Sequence, residues 1–277
     1  GEFATQILLH RRANGVTVLF DAVPQAAHLE ITAITATATP AVLPSWLGKR
    51  PPVEGNWKKT LEDNFDGNAI NLKLWNIYTS NFWDNRTHFS KDNVIVKDGK
   101  LFLHYEEKTG FHNDDPTDKS SVAKTDFACG FADTYGKWTQ RYGYFEARMK
   151  LPTAHGLWPA FWTMPDRGGN PDPKINPQWK RASTSDGGME FDIMEFLSGW
   201  GPYRFNMAFH WDGYGKEHKA TGTSNSYVPA DAEGFITIGM LWTPGCAIYY
   251  GNGKEIARWE NERICSVQSY PILYMVS

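Results

Sequence analysis

The segment Gly143–Leu151, which reads GYFEARMKL, alternates its side chains between two faces, as expected of an antiparallel strand with one buried side. Two dipeptides, Asp98-Gly99 and Asn252-Gly253, each separate a pair of short apolar runs. Such dipeptides favour the two-residue turn of a β-hairpin. Short apolar runs with turn residues between them recur along the chain, and no convincing helical period is present. The sequence therefore predicts an all-β protein, either a sandwich or a barrel.

The composition excludes several classes of protein. The 277 residues carry a formal net charge of −3 and the basic residues are not clustered, which excludes a strongly basic nucleic-acid-binding surface. With 41% hydrophobic residues the chain is not expected to be disordered, and no apolar run approaches the roughly 20 residues of a membrane-spanning helix. The 12 tryptophans are unusually many. Because tryptophan packs in cores and also stacks on flat apolar partners such as sugars, composition leaves both uses open.

The spacing of the cysteines and of two histidines excludes common metal and disulfide patterns. Cys129, Cys246 and Cys265 are an odd number without metal-binding spacing, so buried free thiols are expected. His210 and His218 lack a third ligand at a useful spacing, so no zinc site is expected.

The segment 188–197, GMEFDIMEFL, combines large apolar residues with three carboxylates. In a regular strand Glu190 and Asp192 share a face, whereas Glu195 points to the other face. One bulged residue near Ile193-Met194 would return Glu195 to the face of the other two acids and leave the apolar residues in the core. The sequence therefore predicts a buried, bulged strand with its three acids on one side.

Three carboxylates on one strand repel one another, which should raise the pKa of at least one of them. No lysine or arginine alternates with these acids to neutralise them. Carboxyl groups with raised and ordinary pKa values side by side are what acid/base catalysis on a glycosidic bond requires. Two alternatives stay open: an exposed acidic edge strand, and a calcium site, for which the oxygen-rich loop with glycine is missing.

The segment Glu190–Glu195 resembles the E-x-D-x-x-E signature of glycoside hydrolase family 16, in its bulged form, which occurs in laminarinases, β-agarases, porphyranases and κ-carrageenases. Further segments resemble this family in the same order along the chain: Asp63–Gly67, Leu74-Trp75, Tyr142–Pro152, Gly156–Trp162, Phe235–Thr243 and Tyr249–Lys254. The resemblance covers about residues 56–277. It implies a β-jelly-roll, in which two curved antiparallel sheets form a sandwich and a glycan cleft crosses the concave face.

The resemblance also implies the roles of the acids: Glu190 as nucleophile, Glu195 as general acid/base, and Asp192 as the residue that orients and tunes them. It implies an endo-acting, retaining glycoside hydrolase that cleaves β-linked polysaccharide by double displacement. The context Met194-Glu195-Phe196 looks more like laminarinases and favours β-1,3- or mixed-linkage β-glucan as substrate. The alternatives are an algal galactan hydrolase of the agarase, porphyranase or carrageenase type, a transglycosylase, and a non-catalytic glycan-binding protein of the same fold.

Candidate substrate-binding residues are mostly aromatic. Trp158 and Trp162 are four positions apart in a strand-like segment, share a face in a regular strand, and are predicted to form a sugar-stacking platform. His210, in the strand after the acids, is predicted to bind the acids or a sugar hydroxyl. The remaining candidates are Trp200, Trp211 and Trp83.

A long polar stretch rich in glycine and proline covers residues 167–188. Loops of this length are usually functional or mobile. Its cations are candidates to bind a sulfated or acidic glycan, and the alternative is a solvated cationic loop; they are Arg167, Lys174, Lys180 and Arg181.

The sequence divides into two regions. Residues 1–50 are predicted to be an N-terminal β segment and linker, either the remnant of an accessory module or strands that pack on the main domain. Residues 51–277 are predicted to form the catalytic jelly-roll. Its final strand is expected to be either missing or replaced by the N-terminal strands. We expect a monomer with a polysaccharide as its partner, no nucleic acid, no membrane span and no required cofactor; a structural calcium ion stays open. We expect a secreted, periplasmic or cell-surface location, with the signal peptide absent from this sequence.

Overall fold

The computed structural model describes residues 40–79, 86–111, 124–172, 174–201 and 203–277. The predicted N-terminal strands and Trp83 lie outside these residues. The strands are β1 (Thr87–Phe89), β2 (Val94–Lys97), β3 (Lys100–Leu103), β4 (Tyr105–Phe111), β5 (Lys124–Cys129), β6 (Phe131–Asp133), β7 (Gly143–Met149), β8 (Trp158–Pro165), β9 (Met189–Glu195), β10 (Arg204–Trp211), β11 (Lys219–Tyr227), β12 (Ile236–Thr243), β13 (Cys246–Gly251), β14 (Lys254–Glu260) and β15 (Ser269–Val276). The helices are α1 (Gln178–Arg181) and the 3-10 turns Lys91–Asn93 and Ser198–Trp200. Within the described ranges none of these helices has the length and apolar character needed to cross a bilayer.

Two large antiparallel sheets form the body of the protein. The six-stranded sheet has the order β11-β10-β9-β8-β15-β6, and the four-stranded sheet has the order β14-β13-β12-β7. A three-stranded sheet, β1-β5-β4, and the hairpin β2-β3 adjoin them. The predicted all-β class is therefore confirmed, and among the described strands one pair departs from antiparallel pairing: β1 pairs parallel to β5.

The main core lies between the two large sheets. Phe191 of β9 and Trp242 of β12 face each other across it with ring centroids 5.0 Å apart. Phe209 of β10 meets Tyr249 of β13 in the same way, at 5.7 Å. All four side chains are buried. One face of the six-stranded sheet is thus closed, and only its other face is available for a site.

Part of that other face carries a second apolar cluster. Its members on β8 and β15 include Trp162, Tyr270 and Tyr274, and Phe89 of β1 packs on them. Cys129 is buried in this cluster, as predicted for a free thiol. The thiol of Cys265 is buried as well, whereas that of Cys246 is half-buried.

Both predicted hairpin turns are present. Asp98 and Gly99 between β2 and β3 have φ angles of 53° and 65°, and Asn252 and Gly253 between β13 and β14 have 50° and 81°. Positive φ at both central residues is what a type I′ turn requires. The predicted alternation of β7 is also confirmed, because Phe145 is buried in the main core while its neighbours face away.

Residues 40–62 adjoin the four-stranded sheet on the side away from the core. The Ala41 amide donates to the Ala230 carbonyl at 2.9 Å, and Trp46 lies against Gly253 in the β13–β14 turn. A backbone amide of this segment, that of Gly48, donates to the Glu146 carboxylate on the outer face of β7. This side of the molecule is therefore separated from the free face of the six-stranded sheet by the whole sandwich.

Candidate active site

Strand β9 carries the predicted bulge. Along β8, Ala160 pairs with Glu195 and Trp162 pairs with Asp192, so two steps of β8 face three steps of β9. The register of β9 against β10 shifts at the same place. The extra residue lies between Asp192 and Glu195, and it returns Glu195 to the face that Glu190 and Asp192 share.

The residues between the acids complete the core on the opposite face. Phe191, Ile193 and Met194 all belong to the cluster between the two large sheets. The bulge directs two consecutive apolar side chains inward, which a regular strand cannot do. The local sequence thus folds into a strand with a fully apolar face and a fully acidic face.

Glu195 accepts two hydrogen bonds. The Trp158 indole Nε1 donates to its Oε1 at 3.1 Å, and the Asn206 Nδ2 donates to its Oε2 at 2.5 Å. Burial raises the pKa of Glu195 to about 7, the charge of Asp192 adds to this increase, and the two donors oppose it. At neutral pH this carboxyl can therefore both give and take a proton.

Glu190 is buried at the start of β9. Burial raises its pKa well above the ordinary value, and the Asp192 charge, the contact with Asp192 and the Glu195 charge act in the same direction. The expected raised pKa in the acidic strand is thus present in both glutamates. Because the carboxyls interact, the protons belong to the cluster rather than to one residue.

His210 joins the cluster from β10. It pairs with Glu190 in the register, and its Nε2 lies 3.3 Å from Asp192 Oδ2. Contact with the Asp192 carboxylate raises the pKa of His210, while burial opposes this effect. On the outer side, His210 Nδ1 lies 2.9 Å from His218 Nε2, with the two rings nearly parallel. The structure thus places His210 beside the acids, and its role in substrate binding stays a prediction.

The cluster has the donor atoms of a possible cation site. Among the described residues, one group of three potential ligands has all its ligand atoms within 4.8 Å of one another: Glu190, Asp192 and His210. A third ligand for His210 was not predicted, because β9 brings these carboxylates to it only in the folded sheet. The same carboxyls are the predicted catalytic groups.

The predicted tryptophans lie in different environments. Trp158 lies at the site and binds Glu195, and its stacking on sugar stays a prediction. Trp162 shares the face of Asp192 but is only 2% exposed, because Tyr274 of the neighbouring strand packs against its ring at 5.6 Å. The prediction of a stacking surface at Trp162 is therefore wrong.

The prediction that Trp211 binds substrate is also wrong. It follows His210 directly in β10, and alternation sends the two side chains to opposite faces. Trp211 packs against the core cluster, with the Arg263 guanidinium 6.0 Å from its ring. Trp200 lies in the 3-10 turn after β9, with the Arg204 guanidinium over its ring at 4.8 Å, and its substrate-binding role stays a prediction.

The loop 167–188 uses its arginines internally. Arg181 forms a two-pronged ion pair with buried Asp166, with Nη2 2.9 Å from Oδ2. Arg167 donates to the carbonyls of Ser183 and Ser185 at 2.7 and 2.6 Å. Neither a glycan-binding role nor a solvated position describes these two side chains, because both are already bound to protein groups.

Two residues of the site were not predicted. Asn206 pairs with Glu195 across β9 and β10, and His218 contacts His210 from the turn just before β11. A signal for Asn206 was present, because it lies four residues before His210 and so shares its face of the strand. His218 had none, since the turn between β10 and β11 sets its position.

Comparisons with known proteins agree with this architecture. A family model described as "Glycosyl hydrolases family 16" matches residues 83–276. The endo-1,3-1,4-beta-glycanase ExsH of Rhizobium meliloti (strain 1021) is 33% identical over 48% of this chain and 24% of that protein. A glucan endo-1,3-beta-glucosidase of Cryptopygus antarcticus is 28% identical over 69% of this chain and 64% of that protein. This chain thus spans about a quarter of the length of ExsH.

A solved structure confirms the fold. The catalytic domain of an endo-1,3-beta-glucanase (laminarinase) from Thermotoga petrophila RKU-1 superimposes with a TM-score of 0.60 at 20% identity, over 79% of this chain and 86% of that chain. The expected β-jelly-roll is therefore the fold of this protein. Since the matched region covers most of the sequence, the chain belongs to family 16 of the glycosyl hydrolases.

Proposed function

We propose that this chain is an endo-acting, retaining β-glycanase that cleaves β-1,3- or mixed-linkage β-glucan. The observation that carries the proposal is the bulge in β9, which places Glu190, Asp192 and Glu195 on one buried face. Relatives named as endo-1,3-1,4-beta-glycanase and glucan endo-1,3-beta-glucosidase support the substrate class.

In the first step Glu190 attacks the anomeric carbon of the sugar, and the bond from that carbon to the leaving oxygen breaks. Glu195, protonated, gives its proton to the leaving oxygen. Attack requires the ionised form of Glu190, whose pKa burial raises in the free protein. The positive charge that develops on the sugar in the transition state favours this ionised form, so the carboxylate is stabilised where it is needed.

In the second step Glu195, now ionised, takes a proton from water. The water oxygen bonds to the anomeric carbon as the ester bond to Glu190 breaks, and two inversions give net retention. A pKa of about 7 suits Glu195 to both halves of this cycle.

Asp192 lies between the two glutamates along β9 and contacts Glu190 and His210. Its charge raises the pKa of both glutamates and of the imidazole. We infer that the charge of Asp192 helps to keep a proton on the two glutamates. When the carboxyls are ionised, protonated His210 neutralises Asp192.

The test is hydrolysis of a panel of polysaccharides: laminarin, barley β-glucan, agarose, porphyran and carrageenan. We expect reducing-sugar release from the two glucans, internal cleavage by product sizing, and a first product with the β-configuration by proton NMR. Glu190→Gln should lose this activity, and Glu146→Gln, a half-buried glutamate on the outer face of β7, should keep it. Cleavage of the galactans alone would contradict the substrate class, and unimpaired turnover by Glu190→Gln would contradict the mechanism.

A further inference from the structure

Trp179 is 78% exposed, although it belongs to helix α1 rather than to a chain end. The side chain of tryptophan is large and largely apolar, so leaving it in water has a cost unless it has a binding partner. The exposure leaves the Trp179 ring available to a flat apolar partner.

The segment that carries Trp179 is fixed to the rest of the protein. Arg181, two residues further on, is held by Asp166, which is fully buried and also accepts the amide hydrogens of Gly136 and Gly168. The Arg167 guanidinium ties the end of the same loop through the backbone carbonyls it binds. The Trp179 ring is thus presented on a braced backbone, which lowers the entropy lost when a ligand stacks on it.

Helix α1 packs on the face of the six-stranded sheet that carries the acids. Ala182, just after the helix, is buried in the cluster that contains Trp162 and Tyr270. The Gln178 side chain is hydrogen-bonded to Tyr270, and the Arg181 guanidinium lies 4.7 Å from the Tyr135 ring centroid. The segment that carries Trp179 therefore borders this face on its β15 side, at the strand end nearest Glu190.

A second exposed aromatic lies at the same end of the sheet. Tyr214 is 58% exposed and reaches from the β10–β11 turn to β8, where its hydroxyl is 3.7 Å from Met164 Sδ. Its turn is joined to the loop of Trp179 by the Asp212 amide, which donates to the Thr184 carbonyl. The two exposed rings thus belong to connected loops at the same end of the sheet, and the Tyr214 ring lies beside that of His210, with centroids 6.4 Å apart.

We propose that Trp179 is a distal sugar-binding position, on which a pyranose ring of the polysaccharide stacks beyond the residues held at the acids. The inference rests on the proposed glycanase function. A glucan chain is the occupant that fits, because the loop borders the catalytic face and Trp179 offers a flat, exposed apolar ring. Only a substrate long enough to reach beyond the acids would contact Trp179.

The test compares kcat and KM of the wild type and Trp179→Ala on the polysaccharide and on its oligosaccharides of increasing length. Loss of one stacked ring should lower kcat/KM on the polysaccharide by about tenfold, mainly through KM. The loss should shrink as the oligosaccharide shortens, and Trp179→Phe should restore most of it. Equal losses at all lengths, or none, would overturn the inference.

The matched control is Trp57→Ala. Trp57 is 41% exposed and belongs to the segment that adjoins the four-stranded sheet, so its removal should leave KM unchanged. Failure of the proposed function has a different signature, a wild type that hydrolyses none of the glucans. Electrophoresis through gels that contain the polysaccharide then tests Trp179 without turnover: weaker retardation of Trp179→Ala supports the inference, and equal retardation contradicts it.

Discussion

On one face of β9 the side chains are apolar and 0 to 1% exposed, whereas on the other face they are carboxylates and 3 to 9% exposed. Both faces have lost nearly all contact with water, but with opposite consequences. Burial of the apolar face stabilises the fold. Burial of the acidic face opposes ionisation and raises the pKa of both glutamates. One strand thus provides both the centre of the core and the part of the molecule where burial opposes ionisation.

The largest expected effect is on the apolar face. Phe191→Ala removes a ring that contacts Trp242 and Phe209 in the main core. The cavity and the lost burial should lower the free energy of unfolding by about 3–5 kcal/mol. Urea unfolding measures this loss, and a change below about 1 kcal/mol would contradict the central place of β9 in the core.

The acidic face should respond in the opposite direction. The ordinary pKa of Glu195 is 4.5 and its pKa in the folded protein is about 7. These two values define a pH window, and below it both the folded and the unfolded chain hold the proton on Glu195. As pH rises through the window the unfolded chain releases its proton first, so the wild type loses stability. The glutamine of Glu195→Gln has no proton to lose. Above pH 7 the free energy of unfolding of this variant should therefore exceed that of the wild type by up to about 3 kcal/mol.

Urea unfolding at pH 4 and pH 8 measures the difference between Glu195→Gln and the wild type. It should be small at the lower pH and clear at the higher one. Glu262→Gln, an exposed glutamate outside the site, is the control and should follow the wild type at both. A pH-independent difference would show that burial of the Glu195 charge has no cost.

The smallest expected effects concern the pH profile of activity. The charge of Asp192 raises the pKa of Glu195, and the Asn206 amide lowers it. Asp192→Asn should therefore move the alkaline limb of kcat/KM to lower pH, and Asn206→Ala should move it to higher pH, each by on the order of one pH unit. If the alkaline limb moved in the same direction in both variants, this division of roles would be contradicted.

Much of β9 could be predicted from its own residues. The spacing of the three acids among large apolar residues requires a bulge, and both hairpin dipeptides have the positive φ that their residue types favour. The opposite faces of His210 and Trp211 could also have been predicted, because neighbours in a strand alternate.

Other features depend on partners that are distant in the sequence. Trp162 is covered by Tyr274, which lies more than a hundred residues later. Arg181 is neutralised by Asp166 from the other end of a long loop. His218 reaches His210 because of the shape of a turn. Local patterns carry no information about such contacts. The stacking prediction at Trp162 was therefore wrong, and the binding of Arg167 and Arg181 to protein groups was not predicted.

The most direct test of the central claim is to trap the covalent intermediate. The reagent is an oligosaccharide of the preferred glucan, activated as a 2-deoxy-2-fluoro glycosyl fluoride. The glycosyl ester should form quickly, as fluoride leaves, and its hydrolysis should be slow. Mass spectrometry of the digested protein then locates the label. We predict that the sugar is attached to Glu190, at the start of the acidic face of β9. A label on Asp192 or Glu195, or inhibition without any label, would contradict the account.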